Sequence, residues 1–141
     1  MAELLMDTAA FFAFFVGFKR HHQAIKTYCE QNPSRWIILS TVFDETVTWL
    51  RSRVSIEASI QVGTVLRSEH HYIHLSEDDD RATWEAFARY RDKPWSYTDC
   101  SLLVMATRLG IANVASFDIH IRQMSGLGIV CIPTIAWRSA I

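Results

Sequence analysis

The sequence predicts an α/β fold with a mostly parallel sheet of roughly five strands and helices on both faces. Two observations carry that expectation. Short apolar runs of strand length alternate with longer segments whose apolar residues recur at helical spacing, the pattern that parallel sheets and their crossover helices produce. Trp36-Ile37-Ile38-Leu39 is moreover apolar without alternation, as strands buried on both faces are.

The chain of 141 residues fits one domain spanning 1–141, long enough to bury about two thirds of its unfolded surface. Half of its residues are apolar and about a fifth are charged, an ordinary globular composition without a disordered tail. A net charge of -1 excludes a general basic field for nucleic acid, so any such partner must be held by local groups. Cys29, Cys100 and Cys131 are widely spaced, without a C-x-x-C pattern, which points to thiols in a reducing compartment and a cytoplasmic protein. The apolar stretch from Thr8 to Phe18 is too short to span a bilayer, and Lys19 and Arg20 follow it where a signal peptide would place them first. No membrane association is expected.

In order, Leu4-Leu5-Met6 forms a brief strand that delivers Asp7 at its end. Phe11, Phe12, Phe15 and Phe18 then recur at helical spacing. That helix is apolar nearly all round, so its rings belong to the core, to a dimer contact or to a partner surface. Lys19-Arg20-His21-His22 is a basic patch, and Gln23 to Gln31 reads as a second helix ended by Asn32-Pro33. After the strand at Trp36 to Ser40, Val42, Phe43, Thr46, Val47 and Leu50 make an apolar stripe from which Glu45 stands off. Arg51 to Ser55 breaks the pattern, and Ile56, Ile60, Val62, Val65 and Leu66 resume it.

Tyr72 to Leu75 is a third strand. The acidic run Glu77 to Asp80 enriches the first turn of the next helix, as the helix dipole favours, and Trp84, Phe87 and Ala88 supply the expected buried stripe. That run lacks the spacing of a calcium loop, and His70, His71 and His74 lack the partners of a zinc site. Asp92 to Trp95 is a loop. Ser101 to Leu109 is helical, with Leu102, Leu103, Ala106 and Leu109 as its stripe and Gly110 as a left-handed cap. Asn113 to Phe117 is a strand ending at Asp118. Ile119 to Ser125 is a short helical turn, and Ile129 to Pro133 is the last strand.

Two readings apply to the acids. Ser96-x-x-Asp99 is a capping box and Asp118 can cap the segment after it. In a parallel sheet, however, strand carboxyl ends and the amino ends of the following helices share one edge. Asp7, Glu45, Asp99 and Asp118 can therefore converge there. Four carboxylates placed together raise one another's pKa and call for a counter-charge. Hard oxygen donors select Mg²⁺ or Mn²⁺, which favours phosphodiester hydrolysis by metal-activated water.

Met6-Asp7-Thr8, Glu45, Ser96-Tyr97-Thr98-Asp99-Cys100 and Ser116-Phe117-Asp118-Ile119-His120, in this order and spacing, resemble a PIN domain, and within that family the VapC-type toxins of bacterial toxin-antitoxin pairs. The resemblance implies a PIN-like three-layer α/β/α sandwich and a ribonuclease dependent on one or two Mg²⁺ or Mn²⁺ ions. Asp7, Glu45, Asp99 and Asp118 would hold the metal directly or through water, with Thr8 and Ser116 as hydroxyl supports. His120 falls within the motif without an assigned role, and Pro94 stands where relatives often carry a polar residue. The resemblance also implies an RNA substrate, a cognate antitoxin whose C-terminal segment covers the acidic site, and a homodimer. Lys19, Arg20, Arg51 and Lys93 are the candidates for holding the RNA backbone. The rival is a PIN-like module that binds RNA or a partner without cutting. An aspartyl phosphatase would need an acid at position 9, where Ala9 stands.

Overall fold

The computed structural model describes residues 2–15 and 19–134. Five strands, β1 (Ala2–Met6), β2 (Ser34–Leu39), β3 (His71–Ile73), β4 (Asn113–Ala115) and β5 (Val130–Ile132), form one sheet in the order β3-β2-β1-β4-β5. Every pairing is parallel, so the sheet is parallel throughout. Helices α1 (Thr8–Phe15), α2 (Lys19–Gln31), α3 (Ser40–Arg53), α4 (Ile56–Ser68), α5 (Glu77–Arg89), α6 (Tyr97–Leu109) and the single turn α7 (Ile119–Arg122) complete a three-layer α/β/α sandwich, with a 3₁₀ turn at Gln123–Leu127. None of these helices is long and apolar enough to cross a membrane.

The unalternating strands behave as their composition requires. Leu4, Leu5, Met6, Ile37, Ile38, Leu39, Val114 and Ala115 are all at most 1 % exposed, and each fully buried Leu or Ile contributes about 1.5–3 kcal/mol relative to exposure. The expected strands at Tyr72, Asn113 and Ile129 are present but shorter, because only three residues of each engage the ladder.

Chain direction reverses once. β1 leads outward through β2 to β3, and the chain then returns to place β4 on the other side of β1. The cleft at such a switch point, beyond the strand ends, is where open α/β sheets bind ligands. Pairing of Met6 with Ala115 puts Asp7 and Ser116 side by side at that position, and the Asp7 amide extends the ladder by donating to the Ala115 carbonyl at 3.0 Å.

Two helix faces differ from expectation. On α5, Trp84 is 59 % and Phe87 41 % exposed and Ala88 is exposed, while Asp79, Thr83 and Ala86 are buried. The small face packs on α6, where Arg108 Nε lies 2.6 Å from Asp79 Oδ1, and Trp84 and Phe87 instead stack on each other at 5.9 Å. On α4, Ser59, Gly63 and Leu66 are buried while Ile56, Ile60 and Val65 are exposed. A Cβ at Gly63 would lie 3.1 Å from Val47 Cγ1, so the close approach of α3 to α4 selects the small face. The helix break falls at Val54-Ser55, with Arg51 to Arg53 still helical.

The Phe-rich helix divides its rings. Phe11 is fully buried and Phe15 is 47 % exposed. Phe12 stacks on Trp49 at 4.0 Å and Phe14 leans on Trp36 at 5.1 Å. Phe18 lies outside the described residues. The following helix begins at Lys19, so the basic patch forms its first turn.

A candidate metal centre at the switch point

Each acid is fixed by the element that ends or begins beside it. Asp7 follows β1 and is 3 % exposed. Its Oδ2 accepts from Ser116 Oγ at 2.6 Å, and that same hydroxyl accepts the Asp118 amide at 2.9 Å. Ser116, at 0 % exposure, thus links the two strand ends through one side chain.

Asp99 is the third residue of α6. Ser96 Oγ accepts its amide at 3.0 Å, and its own Oδ2 accepts the Ser96 amide at 2.9 Å. The capping box is therefore formed in both directions, and it holds a buried carboxylate at the cleft. Gly110, at φ 69°, closes the other end of α6 in the left-handed conformation, which lacks a steric cost only for glycine. Asp118 also caps a helix, its Oδ1 accepting the His120 amide at 2.9 Å.

These bonds bring Asp99, Asp118 and His120 into one group, with one potential ligand atom from each lying within 4.8 Å of the others. His120 Nδ1 stands 3.4 Å from Asp99 Oδ2 and 3.4 Å from Asp118 Oδ1. Asp7 adjoins the group electrostatically. Burial, followed by the neighbouring Asp99 and Asp118 charges, pushes its carboxyl up to about 7 although the Ser116 bond works against the rise. Burial, and then Asp118, likewise raises the Asp99 carboxyl.

Glu45 stands apart from these three. It is exposed on α3 and lines an open groove of about 560 Å³ with Thr41, Asp44, Trp49, Arg53 and Thr98. Thr98 immediately precedes Asp99, so the groove opens beside the acidic cluster. Lys19 and Arg20 are exposed at the start of α2, where His21 stacks on Phe117, next to Asp118, at 4.3 Å. Arg51 lines the α3–α4 groove, and Lys93 pairs with Asp92 at 3.8 Å.

The donor set fits a hard divalent cation. Thr8 Oγ1 is buried beside Asp7 without a hydrogen-bond partner, and unpartnered buried hydroxyls are rare unless an ion or water completes them. Thiol ligation is disfavoured. Burial, and then Asp7, raises the Cys131 thiol to about 12, and burial with Asp99 raises Cys100 to about 11. Sequence reasoning flagged His120 but gave it no role. The signal was the spacing Asp118-x-His120, since a residue whose amide bonds to a cap carboxylate starts its side chain beside that carboxylate.

A five-stranded parallel sheet with carboxylates gathered at its switch point defines an acidic-site α/β fold. The chain belongs to the PIN domain family, whose model matches residues 4–127. Among curated proteins it is 27 % identical over 109 residues to the 23S rRNA-specific endonuclease VapC20 of Mycobacterium tuberculosis, covering 72 % of this chain and 78 % of that protein. The crystal structure of VapC20, described as a sarcin-ricin loop cleaving toxin, superposes with a TM-score of 0.77 at 24 % identity, covering 90 % of this chain and 96 % of that one. A toxin-antitoxin complex from Klebsiella pneumoniae gives a TM-score of 0.64 at 17 % identity, covering 90 % and 95 %. DNA-bound VapBC from Salmonella typhimurium gives 0.63 at 17 % identity, covering 94 % and 98 %.

Proposed function

We propose that this chain, one domain over 1–141, is a metal-dependent endoribonuclease that hydrolyses RNA phosphodiester bonds and acts in the cytoplasm as the toxin of a VapBC-type pair. The observation that supports the reading is the gathering of Asp99 and Asp118 at the switch point, with Asp7 tied to the same place through Ser116 and raised to about 7 by burial and then by the Asp99 and Asp118 charges. One or two Mg²⁺ or Mn²⁺ ions bound by Asp7, Asp99 and Asp118, with Glu45 reaching in from the groove, would supply a positive charge and an activated water.

The chain's own groups do the positioning. Ser116 holds Asp7 and the backbone of Asp118 in fixed relation, and the Ser96 capping box prevents Asp99 from turning away. Thr8 offers an unsatisfied hydroxyl beside Asp7. Lys19 and Arg20, brought to the site's edge by the His21–Phe117 stack, are suited to hold RNA phosphates, and Arg51 and Lys93 to hold more distant ones. The groove lined by Asp44 and Glu45 is acidic, which suits a basic segment of a cognate antitoxin, and the structural likeness to toxin-antitoxin complexes supports such a partner. The exposed Phe15 and the exposed face of α4 are the surfaces we assign to the homodimer or the antitoxin.

The test is cleavage of purified RNA with Mn²⁺, beginning with ribosomal RNA because VapC20 acts on 23S rRNA. Cutting should disappear with EDTA and fall by about a hundredfold or more in Asp7→Asn and Asp99→Asn, each of which removes a charge from the metal-holding set. RNA that is bound by folded protein but left intact under every metal overturns the nuclease reading in favour of a binding module.

A further inference from the structure

Six histidines occur in the chain, and five have partners other than the carboxylates. His21 stacks on Phe117 and His70 on Trp36. His22 Nδ1 meets the Ala13 carbonyl, His74 Nδ1 the Leu75 carbonyl, and His71 the Arg35 guanidinium. His120 differs, because its Nδ1 faces Asp99 Oδ2 and Asp118 Oδ1 at the same distance, 3.4 Å.

That distance exceeds the 2.7–3.2 Å of an ordinary N–H···O bond, so the nitrogen stands between the two oxygens and closes tightly on neither. An octahedral ion with bonds of about 2.1 Å holds adjacent ligand atoms about 3 Å apart. The two N···O edges therefore have to shorten by only about 0.4 Å to become ligand edges. The arrangement is also held in place. Asp118 Oδ1 accepts the His120 amide and Asp99 Oδ2 accepts the Ser96 amide, which fixes the two carboxylate oxygens that the imidazole faces.

We propose that His120 Nδ1 is a direct ligand of the metal, together with Asp99 and Asp118, and that this nitrogen gives the site a preference for Mn²⁺ over Mg²⁺. The proposal rests on the metal-dependent reading above. Its chemistry follows from donor type, since Mg²⁺ takes oxygen ligands and keeps its waters, whereas imidazole suits the first-row transition ions. Asp7, bonded to Ser116, and the buried Thr8 hydroxyl next to it in the chain would complete an otherwise all-oxygen site.

The experiment uses the full chain without an affinity tag, stripped with EDTA and loaded with one equivalent of Mn²⁺. Pulsed electron paramagnetic resonance should detect a coupled imidazole nitrogen in the wild type and in His22→Ala, and none in His120→Ala. Should the alanine variant fail to fold, His120→Asn preserves much of the shape without a ring nitrogen. Calorimetry should show Mn²⁺ affinity falling about tenfold or more in the folded variant, with Mg²⁺ affinity changing less than about threefold. Mn²⁺ bound in an Asp118-dependent manner without a coupled nitrogen overturns the proposal. So does coupling that survives His120→Ala, an equal loss for both metals, or no Mn²⁺ binding. RNA cleavage is scored separately: a coupled nitrogen without cleavage sinks the nuclease reading alone, and cleavage without a coupled nitrogen sinks the ligand assignment alone.

Discussion

Asp7→Asn should stabilise the metal-free protein, and by an amount that depends on pH. The substitution keeps the side chain's shape and an oxygen to accept from Ser116 Oγ, while it removes a charge that is 3 % exposed and faces two other carboxylates. Burial and those neighbours raise the Asp7 carboxyl from an ordinary 3.8 to about 7. The folded state therefore keeps a proton that the unfolded chain gives up. Stability from this group is fully present below about pH 4 and is lost as pH rises through about 7. A shift of about 3 units at about 1.4 kcal/mol each amounts to on the order of 4 kcal/mol. For a domain of this size that is roughly 10 °C in melting temperature. Thermal melts of both proteins in EDTA, from about pH 4 to pH 8, read the difference directly. The gap in favour of the variant should widen across that range, and millimolar Mn²⁺ should close it by stabilising the wild type. A gap that stays flat with pH would refute the claim that Asp7 is buried against its charge.

Two further outcomes follow from the placement of other acids. Glu45→Gln should weaken Mn²⁺ binding less than about tenfold, whereas Asp118→Asn should weaken it by about tenfold to a hundredfold or more, because Glu45 is exposed in the groove while Asp118 belongs to the close ligand group. Equal losses by calorimetry would instead make Glu45 a direct ligand. Asp79→Ala should cost about 1–2 kcal/mol in urea unfolding, through loss of the acceptor for the Ser76 amide and of the Arg108 contact, the latter discounted because Arg108 is half exposed. Burial works to raise this carboxyl, but the Ser76 amide, Arg108 and the Ser76 hydroxyl outweigh it and hold it below the ordinary range. Its contribution is therefore present above about pH 4 and lost in acid, and a variant that keeps the wild-type acid limb contradicts this.

The sheet was readable in the sequence because parallel strands buried on both faces leave an unambiguous mark, as at Trp36 to Leu39. Helix faces were less readable. Composition put Trp84 and Phe87 inside, yet the face that meets α6 is the one carrying Asp79, paired with Arg108 29 residues away, and the two rings face outward. Nor can spacing reveal that α3 approaches α4 closely enough to bury Ser59 and Gly63 in preference to Ile56 and Ile60. Such choices depend on which residue of another element arrives opposite, and local periodicity contains no record of that. The site was legible to the extent that topology decides it. Asp7 and Asp118 end strands that turn out to be neighbours, whereas Glu45 sits on a helix whose rotation decides where its carboxylate goes.

For Asp99 and Asp118, a helix cap and the proposed chemistry do not exclude each other. Each gives one oxygen to a backbone amide, and that same oxygen faces His120. A carboxylate on a free side chain would have to be ordered when a metal binds, at an entropic cost that the cap has already met during folding. Capping also explains why repulsion does not open the cleft. The amide of Ser96, at Asp99, and the hydroxyl of Ser116, at Asp7, oppose the desolvation that raises these two buried carboxyls, but neither carries a full positive charge. Local structure thus holds the acids together although burial and their mutual charges raise Asp7 and Asp99, and a cation bound there, as proposed, would offset that cost.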